Sequence, residues 1–245
     1  YYSPHIAFFI KETNIKGNKV KYFGETADLY RYYRELLASA KNPESEELIK
    51  LVGEITEGLS DREKAKSIYY WVQNNIKYVA YEHGYNGFIP MPSADVFSKR
   101  FGDCKGMSNL LQEMMNIAGL PTYLTWVGTR RIPYKYDELP LPAVDNHMVA
   151  TYIKDDSVFV MDATFKYLDF GVFPYHIQEK EILIGVSPDE YKIYEVPISK
   201  LEDNYVTDYV NISISGDSIK GQATCTHAGL NKMQLSSGFD GIKEK

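Results

Sequence analysis

The sequence predicts an α+β fold. Apolar residues recur at helical spacing across the first third of the chain and again over residues 104–118, whereas from residue 121 onward the pattern turns to short alternating runs separated by turn residues. Hydrophobic residues make up 44% and charged residues 24% of the 245 positions, the balance of a folded domain with room for one sizeable core and a smaller piece.

In chain order, the stretch before residue 25 reads as a β remnant of an upstream domain: His5 to Ile10 is a short apolar run, Asn14 to Asn18 is turn-like, and Lys19 to Phe23 alternates weakly. A helix is predicted from Thr26, its N-cap, to about Ala40, with Leu29, Tyr32, Tyr33, Leu36 and Leu37 at helical spacing. A second is predicted over Ser45–Leu59, with Leu48, Leu51, Val52 and Ile55 inward. The third has the clearest start. Ser60 and Glu63 fit a capping box, and Ala65, Ile68, Tyr69, Val72 and Ile76 form the apolar stripe, with Trp71 beside it as a core residue.

Gly84, Gly87, Pro90, Pro92 and Gly102 make residues 77–103 an irregular loop with room for a helical turn over Ser93–Arg100. Residues 104–118 form a helix facing inward through Met107, Leu110, Leu111, Met114 and Met115, and Gly119 takes the left-handed position that ends it. Pro121 to Val127 is strand-like, residues 131–145 are a proline-bearing loop, and Asn146–Ile153 and Val158–Phe165 form a hairpin about Lys154 to Ser157. After Pro197, Tyr205–Ile214 and Ser218–Thr226 alternate about Gly216-Asp217, as the first hairpin of a downstream β domain would. The resulting layout is an upstream β end over 1–24, a core over 25–200 and a downstream β start over 201–245. With Tyr1 in place of Met and a stop at Lys245, the chain is expected to be a piece of a longer polypeptide.

The net charge of −6 comes without a basic run, which argues against a nucleic-acid partner. No stretch of about 18 apolar residues is present, so no membrane span is expected. The 21 tyrosines suit sheet faces, where the ring is buried and the hydroxyl stays wet. Two cysteines 121 positions apart make neither a metal pattern nor a disulfide framework, and the five histidines are scattered; no metal and no cofactor is expected.

Cys104 falls in the first turn of a predicted helix, after Gly102. Thiol chemistry favours that place: the partial positive charge of a helix start favours the thiolate, and the free N–H groups there can bind an oxyanion. His147 begins an apolar strand. Asp162 lies in the next strand among Val160, Met161 and Ala163, where a carboxylate needs a partner. A hairpin sets these strands side by side, so Asp162 can orient the imidazole; alternatively it starts a turn with Thr164.

Gly102-Asp103-Cys104, Asn146-His147-Met148 and Met161-Asp162-Ala163-Thr164, with Ile76-Lys-Tyr-Val-Ala-Tyr-Glu82 leading into Gly87-Phe-Ile-Pro90, resemble the transglutaminase-like superfamily over roughly residues 60–185. The resemblance implies a papain-like α+β core, with the nucleophile helix packed on an antiparallel sheet. It also implies a layout like that of exported bacterial proteins, often from Bacteroidetes, with a β-sandwich before the core and a β domain after it, hence a periplasmic or cell-surface location. By the same resemblance Cys104 is the nucleophile, His147 the general base and acid and Asp162 the orienting carboxylate. Tyr81, with Trp71 behind it, is the candidate aromatic aid to the oxyanion. Many members carry an acidic residue two positions after the cysteine, where this chain has Gly106. The implied function is cysteine-dependent acyl transfer on peptide or protein amides, by hydrolysis or by transfer to an amine. The alternative from another class is an inactive binding or scaffolding module that keeps the fold. Cys225 is given no catalytic part and is expected to be free or buried.

Overall fold

The computed structural model describes residues 6–38, 40, 42–81, 83–155, 157–240 and 242. Two short strands, β1 (Glu12–Ile15) and β2 (Asn18–Lys21), form a hairpin whose turn residues Lys16 and Gly17 both have positive φ, with the Gly17 N–H donating to the Asn14 side chain. His5 lies outside the described residues, and Ile6–Ile10 has no regular structure.

Three amphipathic helices follow: α1 (Thr26–Leu37), α2 (Glu46–Thr56) and α3 (Asp61–Asn75). Their caps are local side-chain devices. The N-cap of α1 is Glu25, not Thr26, and Asp28 reaches back to the N–H groups of Gly24 and Glu25; the reciprocal box there displaces the threonine cap that its residue type suggests. Ser45 caps α2, and Ser60 with Glu63 closes the predicted box on α3.

The predicted loop over 77–103 contains more structure than its glycines and prolines suggest. It holds β3 (Lys77–Tyr78), a 3₁₀ turn at Gly84–Gly87, α4 (Ser93–Lys99) and β4 (Phe101–Gly102), with β3 and β4 pairing in parallel. The central helix α5 (Cys104–Ile117) buries Met107, Leu110, Leu111, Met114 and Met115, and Gly119 ends it at φ +79.

Helix α5 lies on a five-stranded antiparallel sheet formed by β5 (Thr122–Val127), β6 (His147–Lys154), β7 (Ser157–Met161), β8 (Glu181–Gly185) and β9 (Tyr191–Glu195), in the order β7-β6-β5-β8-β9. The period of two divides the sheet into faces. Leu124, Trp126, Met148, Ala150 and Tyr152 join the helices in the core, while Val127, Val149, Val160, Ile182 and Ile184 pack beneath with Ile177 and Val196. The sequence shows little of β8 and β9. In β8, Ile182, Leu183 and Ile184 are all buried, so the alternation that marks a half-exposed strand is missing.

The tail carries a ribbon of β10 (Val206–Ser215) and β11 (Ser218–His227), then α6 (Gly229–Phe239), a helix without an apolar stripe in which Met233 is the buried residue. Val206, Val210, Ile212, Ile214 and Ile219 remain exposed on the ribbon. Among the described residues no helix is long and apolar enough to cross a membrane.

Candidate active site

The site lies where α5 begins and the β6–β7 hairpin opens. Asp103 is the N-cap of α5: its Oδ1 accepts from the Gly106 N–H at 2.9 Å and its Oδ2 is paired with Lys105, both side chains being buried. That arrangement holds Cys104 at the first helical position, 4% exposed. Gly106 has a packing role. A Cβ there would come within 3.2 Å of Val96 and 3.5 Å of Met91, so its lack of a side chain lets α4 and the 88–92 loop close onto the start of the nucleophile helix.

His147 is the first residue of β6. In the antiparallel register Ala150 faces Met161, so β7 runs its C-terminal end back to the start of β6. Asp162 therefore emerges beside His147, one residue past the end of β7 rather than within it as the sequence suggests, because the chain turns there. Asp162 Oδ2 lies 2.8 Å from His147 Nε2, while Oδ1 accepts from the Thr164 N–H at 3.1 Å and from its hydroxyl at 2.6 Å. The two roles the sequence offers for Asp162 thus coexist on its two oxygens.

The other ring nitrogen of His147, Nδ1, is not engaged by Asp162, and Cys104 lines the same cavity as His147. Burial works to lower the His147 pKa, but the Asp162 carboxylate, by charge and hydrogen bond, and the Cys104 sulfur overcome it and hold it at about 10. Burial likewise opposes ionisation of Asp162, yet the charge and hydrogen bond of His147 and the Thr164 hydroxyl keep its pKa below the usual value.

A cavity of about 400 Å³ opens in front of Cys104 and His147, walled by Tyr33, Phe88, Trp126, Pro142 and Met148. The proline-bearing loop thus borders it. At its side stands Asp145, whose carboxylate accepts from Tyr33 Oη at 2.5 Å and Tyr136 Oη at 2.7 Å; burial pushes its pKa up to about 7 against the pull of these hydroxyls and of Lys180. Gly128 secures this corner, since a Cβ there would sit 2.1 Å from the Val144 carbonyl oxygen.

The other two aromatic candidates lie elsewhere. Tyr81 is half exposed and lines a second cavity with Val79, Ile89, Phe101, Gly102 and Asp103. Trp71 packs on Phe97 with the Arg100 guanidinium over its face. Cys225 is free and exposed on β11.

His176 has no distinguishing motif around it in the sequence. Its Nε2 is 3.7 Å from Asp162 Oδ2, its ring meets that of His147 edge-on at 5.1 Å, and Phe165 leans on it at 4.9 Å. Burial first, and then the charge of His147, depress its pKa to about 4 despite Asp162, so it stays neutral; its Nδ1 is buried without a hydrogen-bond partner among the described residues. His147, Asp162 and His176 also bring donor atoms within 4.8 Å of one another, a geometry able to hold a cation.

Residues 49–162 match the Transglutaminase-like superfamily, the segment from α2 to Asp162. A search of the curated proteins returned no match. Among solved structures, a protein described as a candidate protease from Parabacteroides distasonis superposes with a TM-score of 0.55 at 13% identity, over 87% of this chain and 43% of its own. A candidate cysteine protease from Cytophaga hutchinsonii superposes with a TM-score of 0.41 at 12% identity, over 74% of this chain and 51% of its own. The chain spans less than half of the first of these structures, and at this identity the likeness is one of fold.

Proposed function

We propose, from the match of residues 49–162 to the Transglutaminase-like superfamily, that the protein is a cysteine-dependent acyl-transfer enzyme acting on amide bonds of peptides or proteins. The observation that carries this reading is that His147, bonded to the Asp162 carboxylate at 2.8 Å, shares a cavity with Cys104 at the first position of α5.

The chemistry follows from that order. His147 donates Nε2–H to Asp162, and Nδ1 holds the proton given up by the Cys104 thiol, so the pair reacts as thiolate and imidazolium. The thiolate attacks the amide carbonyl carbon, and the oxygen takes up the negative charge. The N–H of Cys104, in the first turn of α5 where no helix carbonyl reaches, is the candidate donor to that oxyanion. As the C–N bond breaks, His147 returns the proton to the leaving amine, and a thioester remains on Cys104. Water, deprotonated by His147, then releases a carboxylic acid; an amine in its place gives a new amide. Throughout, Asp162 keeps the ring in one tautomer and supports the imidazolium.

The test is the rate of Cys104 alkylation by iodoacetamide across pH, with Cys225→Ser as background because Cys225 is exposed. Rapid alkylation near neutral pH, slowed at least tenfold by His147→Ala, supports a working Cys–His pair. Slow alkylation that His147→Ala leaves unchanged would replace the enzyme by the inactive binding or scaffolding module. Incorporation of an added primary amine into a glutamine peptide then distinguishes transfer from hydrolysis.

A further inference from the structure

The cavity in front of Cys104 is apolar on most of its walls. Tyr33, Phe88, Trp126, Pro142 and Met148 present rings and aliphatic surface, and its volume of about 400 Å³ accommodates one long side chain. Five of its lining residues are ionisable: Tyr33, Cys104, Lys105, Asp145 and His147. Lys105 is matched by Asp103 and His147 by Asp162. Asp145 has no counter-charge bonded to it among the described residues. Its hydrogen-bond partners are two hydroxyls, from Tyr33 and Tyr136, which orient the carboxylate but bring no charge. Lys180 acts on it through its field, while its own Nζ is bound to the carbonyl oxygens of Ile132 and Tyr134.

An ionised carboxylate in the wall of a largely apolar cavity beside a nucleophile is costly to hold unless a counter-charge meets it. The pair of tyrosines offsets part of that cost, and a cation in the cavity would hold Asp145 ionised. We infer that this cavity is a specificity pocket for a basic side chain, lysine or arginine, of the peptide substrate, with the alkyl stem between Trp126 and Phe88 and the cation on Asp145. The aromatic walls suit such a stem and add a cation–π attraction. A glutamate side chain would bring a second negative charge against Asp145, so the same residue that selects for bases excludes acids.

The inference rests on the acyl-transfer reading for its purpose but not for its test, which uses Cys104→Ala, a protein without the nucleophile. N-acetyl-lysine methylamide, N-acetyl-norleucine methylamide and N-acetyl-glutamate methylamide are titrated against it by ligand-observed NMR. The lysine derivative is expected to bind at least tenfold more tightly than the norleucine derivative, and the glutamate derivative most weakly. Asp145→Asn, which keeps the shape and can still accept from a tyrosine, is expected to bring lysine down to the level of norleucine. Should circular dichroism show Asp145→Asn unfolded, Ala143→Lys, at an exposed position on the cavity rim, takes its place and is expected to cut the lysine preference at least threefold. No binding of the lysine derivative, equal binding of lysine and norleucine, or a preference that survives these substitutions overturns the inference. The alkylation rates in the protein that keeps Cys104 report separately on the Cys–His pair, so either conclusion can fail without the other.

Discussion

Asp162 divides its carboxylate between two tasks: Oδ2 lies 2.8 Å from His147 Nε2, and Oδ1 takes both the N–H and the hydroxyl of Thr164. The turn fixes the carboxylate, and the fixed carboxylate sets the ring. With Asp162 only 1% exposed, neither oxygen has water to fall back on.

Two substitutions separate these tasks. Asp162→Asn keeps an oxygen for Thr164, so the melting temperature should fall only modestly. Its amide cannot hold His147 as an imidazolium, so alkylation of Cys104 at neutral pH should slow at least tenfold. Asp162→Ala removes both and leaves a buried ring nitrogen unpaired; by the usual cost of breaking a buried pair, stability should fall by about 3–5 kcal/mol. Urea unfolding of the three proteins checks this.

The same pair makes stability depend on pH in a defined sense. The His147 pKa is raised in the folded protein to about 10, so the folded state holds a proton that the unfolded state has lost. Its stabilisation is complete below the ordinary histidine value of about 6.5 and disappears as pH rises through the folded value. Asp162, lowered, contributes above its ordinary value, and that contribution is lost as pH falls through the folded one. The melting temperature should therefore decline between pH 7 and 10 more steeply in the wild type than in His147→Gln. Parallel curves for the two proteins would contradict the assignment.

Gly128→Ala should damage the corner that holds Asp145. Its Cβ would meet the Val144 carbonyl oxygen at 2.1 Å, a backbone atom that cannot rotate away. Overpacking of this kind costs about 1–3 kcal/mol. Chemical denaturation should show that loss, and a crystal structure of the variant should show the Val144–Asp145 segment displaced.

Lys105 and Asp103 form a buried ion pair at the cap of the nucleophile helix. Lys105→Met alone leaves an uncompensated carboxylate, and Asp103→Asn alone an uncompensated ammonium; each should cost about 3–5 kcal/mol. The double substitution keeps an oxygen for the Gly106 N–H and removes both charges, so it should be more stable than either single change. A double-mutant cycle by urea denaturation measures the coupling.

Much of this protein is decided locally. The helices over Thr26–Leu37, Glu46–Thr56, Asp61–Asn75 and Cys104–Ile117 follow from apolar spacing visible in the sequence, and the Ser60–Glu63 box of the third is legible too, whereas the first is capped by Glu25 and not by Thr26. The hairpin that follows Asn146 and the ribbon around Gly216 are visible as well, because alternation and turn residues are short-range properties. Cys104 and His147 could be singled out because each sits where an element begins, and Asp162 because it is an acid among apolar neighbours.

Only the tertiary structure decided what came from afar. Strand β8 is buried on both faces and pairs with β5 from far back in the chain, Ile184 facing Thr125 59 residues earlier, so no local pattern marks it. His176 reaches Asp162 from an irregular segment, and Asp145 gains its two hydroxyls from Tyr33 and Tyr136, which are separated from it by 112 and 9 residues. Such contacts depend on chain closure over long separations, and a side chain's neighbours across that distance leave no periodic trace in the sequence. The sequence thus determined the helices and the three chemical groups; the fold determined which charges face one another across the cavity, because field and burial depend on distance in space.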